Sequence, residues 1–153
     1  MITLYSYPTL FGVADNNGYG LKVVAFMRLV GLPFVHEHVF DASAAPREQL
    51  PYIVDNGETV GDSETIITRL IAKYGLTIDV GLGAGERNLS LLVTRLLDDL
   101  YWVMSYSRWK DERYWPAFRS AAHARARELD GRGIGQSARI QFSALSFPGH
   151  RPV

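Results

Sequence analysis

The sequence predicts a mixed α/β domain followed by a shorter, all-helical region. Three observations carry this. Across residues 1–80 the hydrophobic pattern alternates between the strand period and the helix period, and afterwards it keeps the helix period. A glycine-rich stretch, Gly81-Leu82-Gly83-Ala84-Gly85, separates the two textures, and glycine is poor inside helices and strands alike. The charge divides at the same place: residues 1–82 hold nine acids and five bases, residues 83–153 seven acids and eleven bases. We therefore expect one domain at 1–80, a linker at 81–85 and a partial helical domain at 86–153.

The elements follow in order. Ile2 to Tyr7 is β-branched and aromatic and is stopped by Pro8, which reads as a strand. Asp15-Asn16-Asn17-Gly18 has turn composition. From about Tyr19 the residues Leu21, Val24, Ala25 and Leu29 recur at helical spacing, while Val23, Phe26, Met27 and Val30 make the helix apolar almost all round. Gly31 and Pro33 end it. Phe34 to Phe40 alternates and is a second strand. Residues 41–50 are polar and Ala-rich, a loop or short irregular helix. Pro51 to Val54 reads as a strand, Asp55-Asn56-Gly57 as a hairpin turn, and Glu58 to Val60 as the partner strand. Asp62 or Ser63 caps a helix that runs to about Tyr74 and is closed by Gly75. The order β-α-β then β-β-α, with a parallel crossover and an antiparallel hairpin in one mixed sheet, is the thioredoxin-like layout.

In the second half, Leu89, Leu92, Val93, Leu96, Leu97, Leu100, Val103 and Met104 form the apolar stripe of a long helix. Pro116 suits the first turn of another, which Gly131 would end. From Gln136 the periodicity is lost, and the tail reads as irregular, truncated or frame-shifted.

Composition excludes several classes. The 153 residues carry 16 basic and 16 acidic side chains, so nothing marks a general nucleic-acid binder. Without cysteine there is no disulfide scaffold, thiolate metal site or redox dithiol. No apolar run is long enough for a membrane span, and no basic-then-apolar leader is visible. A cytoplasmic protein is the expectation.

Three features in register carry a family resemblance: Leu50-Pro51-Tyr52-Ile53, with a proline opening the third strand; Gly61-Asp62-Ser63-Glu64-Thr65-Ile66, an acid–serine pair at a helix start; and the glycine hairpin between them. Together they resemble the N-terminal domain of the glutathione S-transferases, in the branch related to metaxin and failed-axon-connections. The segment Leu100-Tyr101-Trp102 with Tyr106-Ser107-Arg108-Trp109 is similar to the start of that branch's helical domain. The resemblance covers residues 1–82 and part of 86–120.

It implies a glutathione-binding protein, a homodimer, that activates the bound thiol and conjugates it to an electrophile. Pro51 would follow a cis peptide bond, so that the backbone of Leu50 pairs with the cysteinyl part of glutathione as an added strand. Ser63, at a helix N-terminus, would hold the γ-glutamyl carboxylate, and Asp62 would accept from the γ-glutamyl amine. Alternatively, Asp62 and Ser63 are a helix cap and Pro51 a strand start. The long helix would pack on the first domain and help form the dimer interface.

The departure lies at the thiol. The family's Ser or Cys position falls at Asn17 in this chain. The Asn17 side chain, or its backbone N–H, could hydrogen-bond a thiolate and, with the helix dipole, lower a bound thiol's pKa from about 8.5; Asn17 could equally be a turn residue or N-cap. Tyr7, at the end of the first strand, could donate its hydroxyl to the sulfur or be a core aromatic. Tyr19 is a third candidate donor. The other reading keeps the fold without catalysis, as a protein-interaction module.

Other signals are set aside. His36 and His38 share a strand face, but two ligands are too few for a structural metal site, so no metal is expected. Asp15-Asn16-Asn17-Gly18 lacks the distal Glu of a calcium loop. The arginines between 119 and 139 read as a solvated face, and Gly131-Arg132-Gly133 follows no strand.

Overall fold

The computed structural model describes residues 1–130. The expected helix end at Gly131 and the expected irregular tail from about 136 lie outside the described residues.

A four-stranded mixed sheet in the order β2-β1-β3-β4 forms the first region. Strand β1 (Ile2–Ser6) pairs in parallel with β2 (Phe34–His38) and antiparallel with β3 (Tyr52–Asp55), which pairs antiparallel with β4 (Glu58–Gly61). The β3–β4 turn is Asn56-Gly57, with φ of 52° and 85°. Both are left-handed, the geometry that matches strand twist in a two-residue hairpin.

Helix α1 (Gly18–Leu29) provides the crossover and α2 (Ser63–Tyr74) follows the hairpin. Both pack on one sheet face. The core there is Ile2 and Leu4 from β1, Val23, Val24 and Met27 from α1, Ile53 from β3, and Ile66 and Leu70 from α2. α2 ends at Gly75, whose φ of 60° is the left-handed cap glycine favours. The opposite face is covered by the segment after β2. Its Ala42 and Ala45 sit against Tyr52, whose ring stacks on Tyr5 at 4.6 Å. Within that segment, Pro46–Glu48 make a single 3-10 turn, α-like but tighter.

The helical region is α3 (Ala84–Trp109) and α4 (Trp115–Asp130). α3 starts inside the glycine-rich stretch, because Glu86 Oε2 accepts the Gly83 N–H at 2.7 Å and satisfies a helix-end donor. Pro116 occupies the second position of α4, where a missing N–H costs nothing. Phe118 and Ala122 of α4 close over Leu10, flanked by Trp109 and Trp115; Leu129 closes over Phe40.

Two expectations are corrected. α1 is not buried all round: Leu29 and Ala25 are exposed, since the sheet covers one flank only. The apolar stripe of α3 meets the first domain only in part: Leu97, Leu100 and Met104 line a cavity of about 520 Å³ with Gly18, Leu21 and Ala25 of α1, while the rest of the stripe faces away. Leu92 is 68% exposed and Leu96 63% exposed, and no residue of α3 is buried. The face turned to the first domain is mixed, with Thr94, Asp98 and Tyr101 beside Leu97, Leu100 and Met104.

Candidate functional site

The site is built around the two helix N-termini. β1 delivers the chain to Tyr7, whose half-buried ring meets Phe40 edge-on at 6.2 Å. Burial first, then the neighbouring Tyr101 and Asp15, push the Tyr7 hydroxyl above its ordinary pKa. It therefore keeps its proton at neutral pH, the form of the hydroxyl that can donate.

The loop from Pro8 to Asn17 returns on itself: the Asn16 side chain donates to Pro8 O at 2.9 Å. Asn17 then caps α1, its Oδ1 accepting the Tyr19 N–H at 2.9 Å. Capping uses the side-chain oxygen and leaves Nδ2 as a donor. The Asn17 backbone N–H is already donated to Asp15 Oδ1 at 2.7 Å. Of the two donors expected from Asn17, only the side-chain amide remains available, because the turn that opens α1 consumes the other. Tyr19 lies 4.9 Å from Tyr101, ring to ring. Its hydroxyl is pushed up by burial first and then by Asp98.

Across from these, the Leu50-Pro51 peptide is cis, and Pro51 is buried at the entry to β3. Asp62 stands at a φ of 70°, unusual for a residue with a side chain. There it caps α2: its Oδ1 accepts the Thr65 N–H at 3.0 Å and the Thr65 hydroxyl at 3.1 Å. The Thr65 backbone bond, more than any other influence, holds the Asp62 carboxyl below its ordinary pKa. Its Oδ2 lies 3.7 Å from Arg47. Ser63 is the first residue of α2 and is buried.

A single cavity of about 540 Å³ is lined by Tyr7, Asn17, Tyr19, Leu50, Pro51, Asp62 and Ser63. All seven residues proposed from sequence thus share one cleft, although they come from separate segments. Sequence reasoning missed Lys22, Glu48, Gln49, Glu64, Arg95 and Asp98 on the same walls. Lys22 reaches Glu64 at 2.6 Å, and Arg95 reaches Asp98 at 3.4 Å. Arg95, Asp98 and Trp102 recur at helical spacing on one side of α3. That period was legible, but the leucine stripe masked it.

Behind the cleft runs a second polar group that sequence reasoning also missed. Asp15 is 1% exposed. Its Oδ2 has no hydrogen-bond partner and rests against Gly20, where a Cβ would stand 2.0 Å from it. Burial pushes its pKa up to about 6, against the opposing pull of Ser6, the Asn17 N–H and Arg108. The Ser6 hydroxyl is held at 2.7 Å by His36 Nε2. The His36 ring is 4.2 Å from His38, which donates from Nδ1 to Tyr7 O at 3.2 Å. Burial, with His38 and Arg28 adding to it, lowers His36 to about 4. Arg108 of α3 donates to Asn16 O and lies over the Phe118 ring. Among the described residues no cluster of three ligating side chains is present, and no helix is long and apolar enough to cross a membrane.

Comparisons with known proteins follow the same outline. The family described as "Glutathione S-transferase N-terminal domain" matches residues 19–114. The isoprene-epoxide–glutathione S-transferase of Rhodococcus sp. (strain AD45) is 36% identical over 169 residues, covering 96% of this chain and 71% of that protein. Failed axon connections of Drosophila melanogaster is 35% identical over 111 residues, covering 72% of this chain and 27% of that protein. Among solved structures, the beta-etherase LigF of Sphingobium sp. strain SYK-6 superposes with a TM-score of 0.55 at 23% identity. This chain spans 47% of that one, and the likeness is one of fold.

Proposed function

The chain belongs to the glutathione S-transferase family, and from that premise we propose that it binds glutathione in the cleft between α1, α2 and α3 and transfers its thiol to an electrophile. One observation carries the reading: the start of α1, with the Asn17 and Tyr19 donors, and the start of α2, at Asp62 and Ser63, open onto the same cavity. In this reading Ser63 and the α2 N-terminus hold the γ-glutamyl carboxylate, and the ionised Asp62 accepts from the γ-glutamyl amine. The Leu50 backbone pairs with the cysteinyl part. Tyr7 is the first choice as thiol donor, since its hydroxyl stays protonated and can stabilise a thiolate without competing for its charge. The Asn17 amide and the Tyr19 hydroxyl are the rivals. The domain division at 1–80 and from 86 onward, a cytoplasmic setting and a homodimer belong to the same proposal.

The experiment is calorimetry with glutathione on wild type and Ser63→Ala. Losing hydrogen bonds to a charged carboxylate should cost about 1.5–3 kcal/mol of affinity. Equal affinity in the two proteins would remove the γ-glutamyl assignment. A wild type that does not bind would favour the second reading, a protein-interaction module. The exposed leucine face of α3 is the observation behind that alternative.

A further inference from the structure

We propose that Asp15 is a positioning residue of the cleft, a buried carboxylate that fixes the turn at Asn17 and so places the Asn17 side chain against a bound thiol peptide. The proposal rests on the glutathione reading above and deepens it. The geometry is specific. Oδ1 takes the Asn17 N–H at 2.7 Å, one residue before α1 begins. Oδ2 occupies a cradle that exists because residue 20 is glycine; an added Cβ there would stand 2.0 Å from it. A carboxylate that is 1% exposed with one oxygen unpartnered is costly to keep. A surface turn at a helix start needs no such group, since an Asn or Ser cap alone suffices.

The neighbours show how the group is held. Tyr7, just past the end of β1, faces it. His36 on β2 reaches it by way of Ser6. Arg108 faces it from α3, while its guanidinium grips the next carbonyl, Asn16 O. The turn is therefore clamped from both regions of the molecule, with Asp15 as the anion opposite Arg108. An ionised carboxylate accepts the Asn17 N–H more strongly than a protonated one. Asn17 is then held most firmly above the ionisation of Asp15, and ligand binding should tighten as pH rises through about 6.

The test uses S-methylglutathione, so that thiol ionisation plays no part, with calorimetry on the whole chain from pH 5 to 8, a window set about the Asp15 value of about 6. Wild type should bind tighter at the upper end. Asp15→Asn, which keeps an oxygen for the Asn17 N–H, should bind within about twofold of wild type at low pH and lose the pH dependence. Asp15→Ala should bind about tenfold more weakly throughout, or 1.4 kcal/mol. An Asp15→Asn variant with the wild-type pH profile, or an Asp15→Ala variant with wild-type affinity, would overturn the proposal.

If wild type binds no S-methylglutathione, the function reading has failed, and the Asp15 claim is decided without ligand. The Asn17 amide proton, followed by NMR in the unliganded protein, should shift with a midpoint near pH 6 in wild type and stay still in Asp15→Asn. An amide that does not titrate sinks it.

Discussion

The two regions treat the same residue type in opposite ways. In the first, Leu4 and Leu70 are completely buried between sheet and helices. In the second, Leu89, Leu92, Leu96 and Leu100 stand more than half exposed along one side of α3. Helical period alone does not decide between these fates, because it says which residues share a face and nothing about what covers it. α1 and α2 find the sheet. α3 meets the first region with a mixed side, where Asp98 and Tyr101 wall the cleft, Arg108 holds the Asn16 carbonyl, and Leu97 and Met104 face α1. Its opposite side leaves Leu89, Leu92 and Leu96 exposed, the kind of surface that marks an interaction site.

The contrast can be broken by substitution. The largest effect is expected at Leu4→Ala. Removing a side chain from the sealed core should cost about 2–5 kcal/mol in denaturant unfolding; a loss below about 1 kcal/mol would mean that the first region relaxes around the hole. Gly20→Ala comes next and inverts the usual rule. Alanine in a helix interior normally gains about 1 kcal/mol over glycine, yet here its Cβ must displace the Asp15 carboxylate. We expect a net loss of about 1–3 kcal/mol, as for other overpacked sites. A stabilised variant would show that the cradle is empty in solution. Smallest is Leu96→Ala on the α3 face, expected within about 0.5 kcal/mol of wild type. A loss comparable with that of Leu4→Ala would erase the contrast, showing that the face is covered in solution.

Much of the first region was legible because its signals are local. Gly57 and Gly75 are required by left-handed backbone, Asp62 by an orphaned helix N–H, and the strands by alternation over a few residues. The cleft was legible in part for the same reason: Asn17, Asp62 and Ser63 mark helix starts, and helix starts bind anions. Asp15, Ser6 and His36 escaped because their roles arise from three elements meeting in space. Asp15 read as a turn residue, and nothing local distinguishes a buried turn carboxylate from an exposed one. The orientation of α3 escaped likewise. Its leucines announce a helix, while the decision about which side faces the cleft belongs to the residues opposite.

The chain of Asp15, Ser6 and His36 also has a consequence for the thermodynamics of folding. At pH 5 the unfolded chain carries an ionised aspartate and a charged histidine, given ordinary values of 3.8 and 6.5. In the folded protein Asp15 is raised to about 6 and His36 lowered to about 4, so at that pH the carboxyl is protonated and the imidazole neutral. Folding thus relocates a proton from base to acid without exchanging one with the solvent, and this pair contributes no pH slope to stability there. Each half alone would. In Asp15→Asn the remaining histidine binds its proton only when unfolded, so its contribution to stability, no longer offset, should rise with pH between about 4 and 6.5. In His36→Asn the remaining carboxyl binds its proton only when folded, and stability should fall between 3.8 and about 6. A buried carboxyl and a half-buried imidazole, each costly to charge, thereby conceal one another from acid.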